Sequence, residues 1–180
     1  MALLSRLGQV LHEEHFHIVM LFCDLENRVS GPAAQQPLDP HRTEDREQLQ
    51  QLILALDEVI RHNAFEEKEL FPLLCRGGGA EMVDMLADEH LVMVPLVNRL
   101  RSYTAEILDD GIDAAKWERF CAASQQFTQQ ILLHLQKEEL GIVQVLDTLL
   151  DRNEQRRLVH RHASATALHH GAMVAAPCID

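Results

Sequence analysis

The chain lacks the features that mark several large protein classes. Lysine and arginine number 16 against 28 aspartate and glutamate residues, which gives a net charge of −12, and the basic residues are scattered. This balance argues against nucleic acid or an anionic membrane surface as a partner. No stretch approaches the roughly 20 apolar residues that a membrane-spanning helix needs. The four cysteines are widely spaced and form no CxxC motif, which favours free thiols in a reducing cytoplasm.

Signals for β-strands are also missing, because apolar and polar residues never alternate over a sustained stretch and no Asn-Gly turn occurs. Glycine and proline gather in residues 30–41, at Gly77–Gly79 and around Gly111. Between these breaks the apolar residues recur at helical spacing. We therefore predict four helices, at about residues 2–29, 43–75, 80–109 and 113–151, with Thr43 and Asp113 as N-caps. Four long helices with short links predict an all-α, up-down-up-down antiparallel four-helix bundle with a short C-terminal extension.

The length of 180 residues suits one domain. We assign residues 1–151 to the bundle and residues 152–180 to a tail, which we expect to form a short fifth helix and then become disordered. Four histidines of the tail, namely His160, His162, His169 and His170, have no carboxylate or cysteine at ligand spacing. We therefore interpret the tail as polar and solvated. The N-terminal stretch has no signal-peptide pattern, so we expect a cytoplasmic protein.

What the sequence does contain is a histidine and glutamate pattern that occurs twice. The first half consists of Glu14-His15 and the HxxxEE segment 62–67, and the second half consists of Glu89-His90 and the HxxxEE segment 134–139. Residues four apart lie on the same face of a helix. Each HxxxE pair therefore directs an imidazole and a carboxylate the same way.

Six of these polar residues share a helix face with apolar residues, which predicts that they point into the bundle core. They are His15, His62, Glu66, His90, His134 and Glu138. Buried carboxylates are costly unless they are paired or ligated. Four imidazoles and two carboxylates converging from four helices would bind two transition-metal ions.

Four segments of the chain resemble the hemerythrin-like, or HHE, domain family. They are LHEEHFHIVMLF, RHNAFEEKELFPLL, DEHLVMVPLV and LLHLQKEELGIVQVL, within residues 10–150. The resemblance implies a four-helix bundle with two iron ions in an oxo- or hydroxo-bridged centre. By this resemblance, His15 and His62 would bind one iron, His90 and His134 the other, and Glu66 and Glu138 would bridge them.

Further residues near the pattern are weaker candidates for ligands. Glu58 and Glu69 lie one turn to either side of the His62–Glu66 pair, and His12 lies one turn before His15. Glu67 and Glu139 orient neighbouring histidine rings or are simply solvated. For all five residues an ordinary structural role is favoured over a role at the metal.

The pattern departs from that of the invertebrate oxygen carriers, which place two histidines one turn apart on the third helix. Val94 stands four residues after His90 and cannot ligate, so the pattern resembles the bacterial branch, H, HxxxE, H, HxxxE. An iron with a vacancy suits chemistry with a small-molecule oxidant such as O2, H2O2 or NO. We expect reaction with peroxide or a related oxidant, which would make the protein a catalase- or peroxidase-like oxidoreductase.

Several alternatives stay open. Sensing of oxygen, nitric oxide or iron, or their binding or storage without turnover, would use the same site. Zinc or a mixed-metal pair could replace iron, because affinity alone does not select iron. A metal-free helical interaction module is a third alternative. A ferritin-like centre is disfavoured, since it needs two ExxH pairs and the chain has only the pair Glu14 and His17.

Overall fold

The computed structural model describes residues 4–173, and every regular element in this range is helical, as predicted. The α-helices are α1 (Arg6–Val29), α2 (Thr43–Phe65), α3 (Phe71–Arg76), α4 (Ala80–Asp110), α5 (Ala114–Glu138), α6 (Gln144–Leu149) and α7 (Arg152–Met173). A 3₁₀ turn covers Gly31–Gln35, and π-helical turns cover Glu66–Leu70 and Glu139–Val143. No helix in the described range has the length and apolar character that crossing a bilayer requires.

Local chemistry sets where these helices begin and end. The side chain of Asp113 caps α5, because its Oδ1 accepts a hydrogen bond of 2.7 Å from the backbone N–H of Lys116. The predicted cap at Thr43 is wrong: this residue is the first of α2, and the capping position belongs to Arg42, which makes no side-chain cap bond. Helix α4 ends at Gly111, whose φ of +80° lies in the region that favours glycine.

A π-helical turn begins at the glutamate of the first HxxxE pair, Glu66, and another begins directly after the glutamate of the second pair, Glu138. In the first of these turns the backbone N–H of Phe71 donates to the carbonyl of Glu66, five residues back. Pro72 follows and has no N–H to offer to the carbonyl four residues before it, so a regular α-helical turn could not be completed here. The second turn contains Gly141, where an added Cβ would lie 2.3 Å from Sδ of Met82. Single π turns inside helices are frequently found at functional sites.

Helices α1, α2, α4 and α5 pack side by side around two apolar clusters. The larger cluster includes Phe22, Phe120 and Phe127, and the smaller one includes Leu7 and Leu86. The six inward histidine and glutamate residues lie near the boundary between the two clusters. The order of the clusters reverses from each of these helices to the next, because α1 and α4 start in the smaller cluster whereas α2 and α5 start in the larger one.

Helix α7 differs from the expected tail. It spans 22 residues and packs against α1 and α2. Leu158 is buried in the smaller apolar cluster, and His162 lies against the bundle with 12% of its side chain exposed. The interpretation of residues 152–164 as a solvated tail is therefore wrong for these two residues. Of the segment expected to be disordered, residues 174–180 lie outside the described range.

Candidate metal centre

Six side chains form one polar layer inside the bundle, and each is at most 2% exposed. Helix α1 supplies His15, α2 supplies His62 at its last turn, and α4 supplies His90. Helix α5 supplies His134 and Glu138, and the first π turn supplies Glu66. The structure thus brings together the six residues that the repeated pattern singles out.

The layer divides into two groups of four residues that could each hold a metal ion. The first group contains His15, His62, Glu66 and Glu138, and the second contains Glu66, His90, His134 and Glu138. Within each group one ligand atom from every residue lies within 4.8 Å of the others. Glu66 and Glu138 belong to both groups, which is the position that a bridging carboxylate would occupy.

The Nε2 atoms of the four histidines meet in pairs at the centre of the layer. Nε2 of His15 lies 3.1 Å from Nε2 of His62, and Nε2 of His90 lies 3.0 Å from Nε2 of His134. Between them, Oε2 of Glu138 lies 3.4 Å from Nε2 of His62 and 3.5 Å from Nε2 of His15. Nitrogen and oxygen atoms this close together surround a common point, as the ligands of a metal ion do.

The Nδ1 atom of each histidine contacts a glutamate outside the layer. Glu14 lies 3.1 Å from Nδ1 of His62, and Glu89 lies 2.9 Å from Nδ1 of His134. These two glutamates come from the same half of the sequence pattern as the histidine that they contact. Each also directly precedes the inward histidine of α1 or α4 in the chain.

The other two contacts cross between the halves. Glu139 lies 2.6 Å from Nδ1 of His15, and Glu67 lies 2.8 Å from Nδ1 of His90. All four carboxylates accept a hydrogen bond from an Nδ1–H, which fixes the imidazole tautomer with the lone pair on Nε2. The four lone pairs therefore point into the layer, where a metal ion would accept them.

The carboxylates of the layer are short of hydrogen-bond partners. Both oxygens of Glu66 are buried and accept no hydrogen bond, and Oε1 of Glu138 accepts none although Nε2 of His134 lies 2.6 Å away. Buried carboxylate oxygens without partners are costly. Two metal ions would satisfy these oxygens, so the residues present fit the cations well.

The charges in the layer shift the titration of its members. Burial, and then the nearby charge of Glu138, raises the pKa of Glu66 well above its ordinary value. Burial alone would raise the pKa of Glu138 as well, but the surrounding imidazoles of His134, His62 and His90 hold it well below that value. For His62, burial lowers the pKa, but the neighbouring carboxylates of Glu66, Glu138 and Glu14 together outweigh burial and raise it. Without metal, the layer therefore retains protons.

The weaker candidates lie outside the two groups of four. His12 is exposed and contacts Glu139 at 2.9 Å. Glu58 pairs with His17 at 3.4 Å, and Glu69 pairs with Arg161 of α7 at 2.6 Å. The π turn explains the position of Glu69: the wider turn rotates the helix, so that Leu70 takes the inward position instead.

Val94 does not share the inward face of α4 with His90, although residues four apart on a helix usually lie on the same face. Its side chain is 51% exposed, whereas Met93 is fully buried. The core face of α4 follows His90, Met93 and Val97, a spacing of three and then four residues that leaves position 94 at the edge of the apolar stripe. The expectation that Val94 faces the metal bound by His90 is therefore wrong.

For Glu67 and Glu139 the sequence leaves two interpretations, an orienting role or simple solvation, and the structure places both against Nδ1 atoms. Sequence reasoning missed Glu14 and Glu89, which make the equivalent contacts. The signal was present, because Glu-His occurs in both halves just as His-x-x-x-Glu-Glu does. The ExxH spacing pairs Glu14 with His17 instead, and His17 is exposed.

Most of the chain, including the centre, matches a known protein family. The family model for the hemerythrin HHE cation binding domain matches residues 7–146. This span contains all ten residues of the layer and its outer contacts and ends before α7. No curated protein and no solved structure matches the chain.

Proposed function

Because this chain belongs to the family of hemerythrin HHE cation-binding domains, we propose that it is a non-haem di-iron protein that reacts with small oxidants. One observation carries the proposal: four histidine Nε2 atoms, each fixed by a carboxylate on Nδ1, surround two buried glutamates, and three of the four carboxylate oxygens have no hydrogen-bond partner. His15 and His62 would hold one iron, His90 and His134 the other, and Glu66 and Glu138 would contact both.

The fold in this proposal is an up-down-up-down four-helix bundle. The reversal of the two apolar clusters from α1 to α2, α4 and α5 supports this order, since neighbouring helices then run in opposite directions. Each helix crosses the polar layer near its middle or its end. Such a bundle presents side chains from four helices at one level.

The same residues would control the chemistry at the irons. Iron, when bound, supplies redox chemistry with O2, H2O2 or NO. The buried walls of the layer exclude bulk water, and the four outer glutamates keep the imidazoles in one orientation. Within the described part of the chain the two groups contain only these four histidines and two glutamates. Six protein ligands leave two six-coordinate irons with positions for a small ligand, as reaction with peroxide requires.

Sensing without turnover is the second candidate, and one contact favours it. His162 of α7 reaches Glu14, which in turn holds His62, so the state of the centre is connected to a separate helix. A metal-free interaction module is disfavoured, because nothing else in the described residues satisfies the buried oxygens of Glu66.

The experiment is metal analysis followed by rapid mixing. Protein reconstituted anaerobically with ferrous iron should hold two irons per chain, and mixing with H2O2 should change its near-ultraviolet and visible absorption within one turnover. Glu138→Ala protein treated in the same way is the control that should hold none. One zinc per chain, or two irons whose absorption peroxide leaves unchanged, would contradict the di-iron assignment or the peroxide activity, respectively.

A further inference from the structure

Helix α7 lies outside the span that matches the family, yet it contacts the outer part of the metal centre. Leu158 anchors it in the smaller apolar cluster, and Arg161 pairs with Glu69 at 2.6 Å. These contacts hold the next residue, His162, over the first half of the pattern.

His162 acts on the carboxylate of Glu14. Its Nε2 lies 2.8 Å from Oε2 of Glu14, and the same oxygen lies 3.1 Å from Nδ1 of His62. The imidazole of His162 also packs edge-on against Phe65, with ring centroids 4.8 Å apart. Glu14 is 13% exposed, so water has limited access to this carboxylate. A hydrogen bond from His162 therefore helps fix which way Glu14 points.

In the second half, the equivalent glutamate is held by a residue of that half itself. Glu89, the counterpart of Glu14, accepts from Nδ1 of His134 and also from Nζ of Lys137. Lys137 stands three residues after His134. In the first half, the residue three after His62 is Phe65, which has no donor. The position that supplies the lysine in one half thus supplies, in the other, the aromatic ring on which His162 packs.

From this difference between the two halves we infer that His162 is a positioning residue for the metal ion held by His15 and His62. Its role corresponds to that of Lys137 for the other ion. This inference rests on the proposed di-iron function. His162 would hold Glu14, Glu14 would hold the Nδ1–H of His62, and Nε2 of His62 would then face the metal. Losing an outer partner of a metal-bound histidine typically weakens metal binding by about 10–100-fold.

Two substitutions separate the hydrogen bond from the packing. His162→Phe keeps a ring on Phe65 but removes the donor, and His162→Gln keeps a donor but removes the ring. His160→Ala is the matched control, since His160 is an exposed histidine of the same helix. The measurement is the rate at which iron passes from the two-iron protein to a coloured ferrous chelator under reducing conditions.

We expect His162→Phe to release one of its two irons faster than the unaltered protein, by at most about tenfold, because His162 acts through Glu14 and losing a direct partner of a metal-bound histidine costs about 10–100-fold. His162→Gln should release it at close to the unaltered rate, and His160→Ala should change nothing. Because coupling between two sites is reciprocal, iron loading should also slow amide hydrogen exchange in residues 152–164. That protection should be lost in His162→Phe.

The outcomes distinguish this inference from the function on which it rests. If the unaltered protein holds two irons and His162→Phe releases them at the unaltered rate, His162 does not position the metal, although the di-iron function stands. Faster release from His162→Gln than from His162→Phe would assign His162 to packing alone and overturn the inference. If the unaltered protein holds no iron, both proposals fail together.

Discussion

The two halves of the polar layer share their inner residues but differ in what supports them. In the first half, Glu14 receives its second contact from His162 of α7. In the second half, Glu89 receives it from Lys137 of α5. The glutamates that cross between the halves differ too, since the side chain of Glu139 is 27% exposed and that of Glu67 is 53% exposed.

This difference shows which parts of the centre the repeated pattern determines. It determines the inner histidines and glutamates and the carboxylates that contact them, but not the residues that contact those carboxylates. The inner histidines and glutamates, and the carboxylates on their Nδ1 atoms, follow the duplicated pattern. The outermost contacts come from positions that the repeat does not specify, since Lys137 occupies an x position of its HxxxEE segment and His162 lies outside the repeat. The two metal positions are therefore chemically alike at their centres and unlike at their edges. Each prediction below tests where the likeness ends.

The largest effect should come from the two residues that belong to both halves. Glu66→Ala and Glu138→Ala should each abolish the binding of both metal ions, because each carboxylate lies in both groups of four. Alanine suits a helix, so circular dichroism should show nearly unchanged helix content. His15→Ala and His90→Ala are the comparison, and each should remove one ion. If metal analysis finds one ion left in Glu66→Ala, this residue is not a bridge.

The next effect concerns the outer glutamates that precede the inward histidines. Glu14→Gln and Glu89→Gln should each weaken metal binding by about 10–100-fold, since each removes the charge that holds an Nδ1–H. Of these two variants, only Glu14→Gln should also speed amide exchange in residues 152–164, because Glu14, and not Glu89, contacts α7 among the described side chains. Competition with a chelator measures the first effect and hydrogen exchange the second. Equal exchange in the two variants would mean that the halves do not differ in this respect.

The pH dependence of metal binding tests what the halves share. The pKa values of Glu66 and His62 are raised above their ordinary values of 4.5 and 6.5. Stability from these two protons is fully present below the ordinary values and is lost as pH rises through the raised ones. Metal binding displaces the protons, so the increase in unfolding temperature caused by metal should grow with pH.

Calorimetry of metal binding in buffers of different ionisation enthalpy should show net proton release at neutral pH. Glu138 has a lowered pKa and should contribute none of these protons. A thermal gain that shrinks as pH rises, or binding without proton release, would contradict the assignment of protons to Glu66 and His62.

The smallest effect is expected at Val94. A histidine there would stand four residues after His90, as in the oxygen carriers, but the side chain at this position is 51% exposed. Val94→His should therefore leave the metal content and the rate of peroxide reaction unchanged. Met93→His, at the buried position of the same turn, is the paired variant. If the peroxide reaction is slower in Val94→His but not in Met93→His, the edge of α4 that carries Val94 lies towards the centre.

Much of the fold and of the inner site could be predicted from the sequence, for a physical reason. The helices can be predicted from apolar spacing and from breaks at glycine and proline. His15, Glu66 and their four counterparts can be predicted because regular helical spacing places them on the inward faces. Their role as metal ligands stays a prediction. The same assumption of a regular helix explains the errors, because the predicted direction of a side chain is wrong where the helix is irregular. The π turn after Phe65 rotates Glu69 away from the centre, and the narrow apolar stripe of α4 exposes Val94.

The contacts of α7 could not be predicted in this way. His162 joins Glu14 across 148 positions of the chain, and the tail carries no ligand spacing that would connect it to the centre. Its docking depends on Leu158 entering an apolar cluster built from other helices. A single sequence shows such long-range packing only through composition, and the composition of this tail is polar.

The most direct test of the central claim is anomalous diffraction at the iron absorption edge from crystals of the iron-loaded protein. The account predicts two iron peaks in the polar layer of each chain. One should contact Nε2 of His15 and His62, the other Nε2 of His90 and His134, and both should contact Glu66 and Glu138. A single peak in the layer, or peaks at other residues while the layer holds none, would contradict the account.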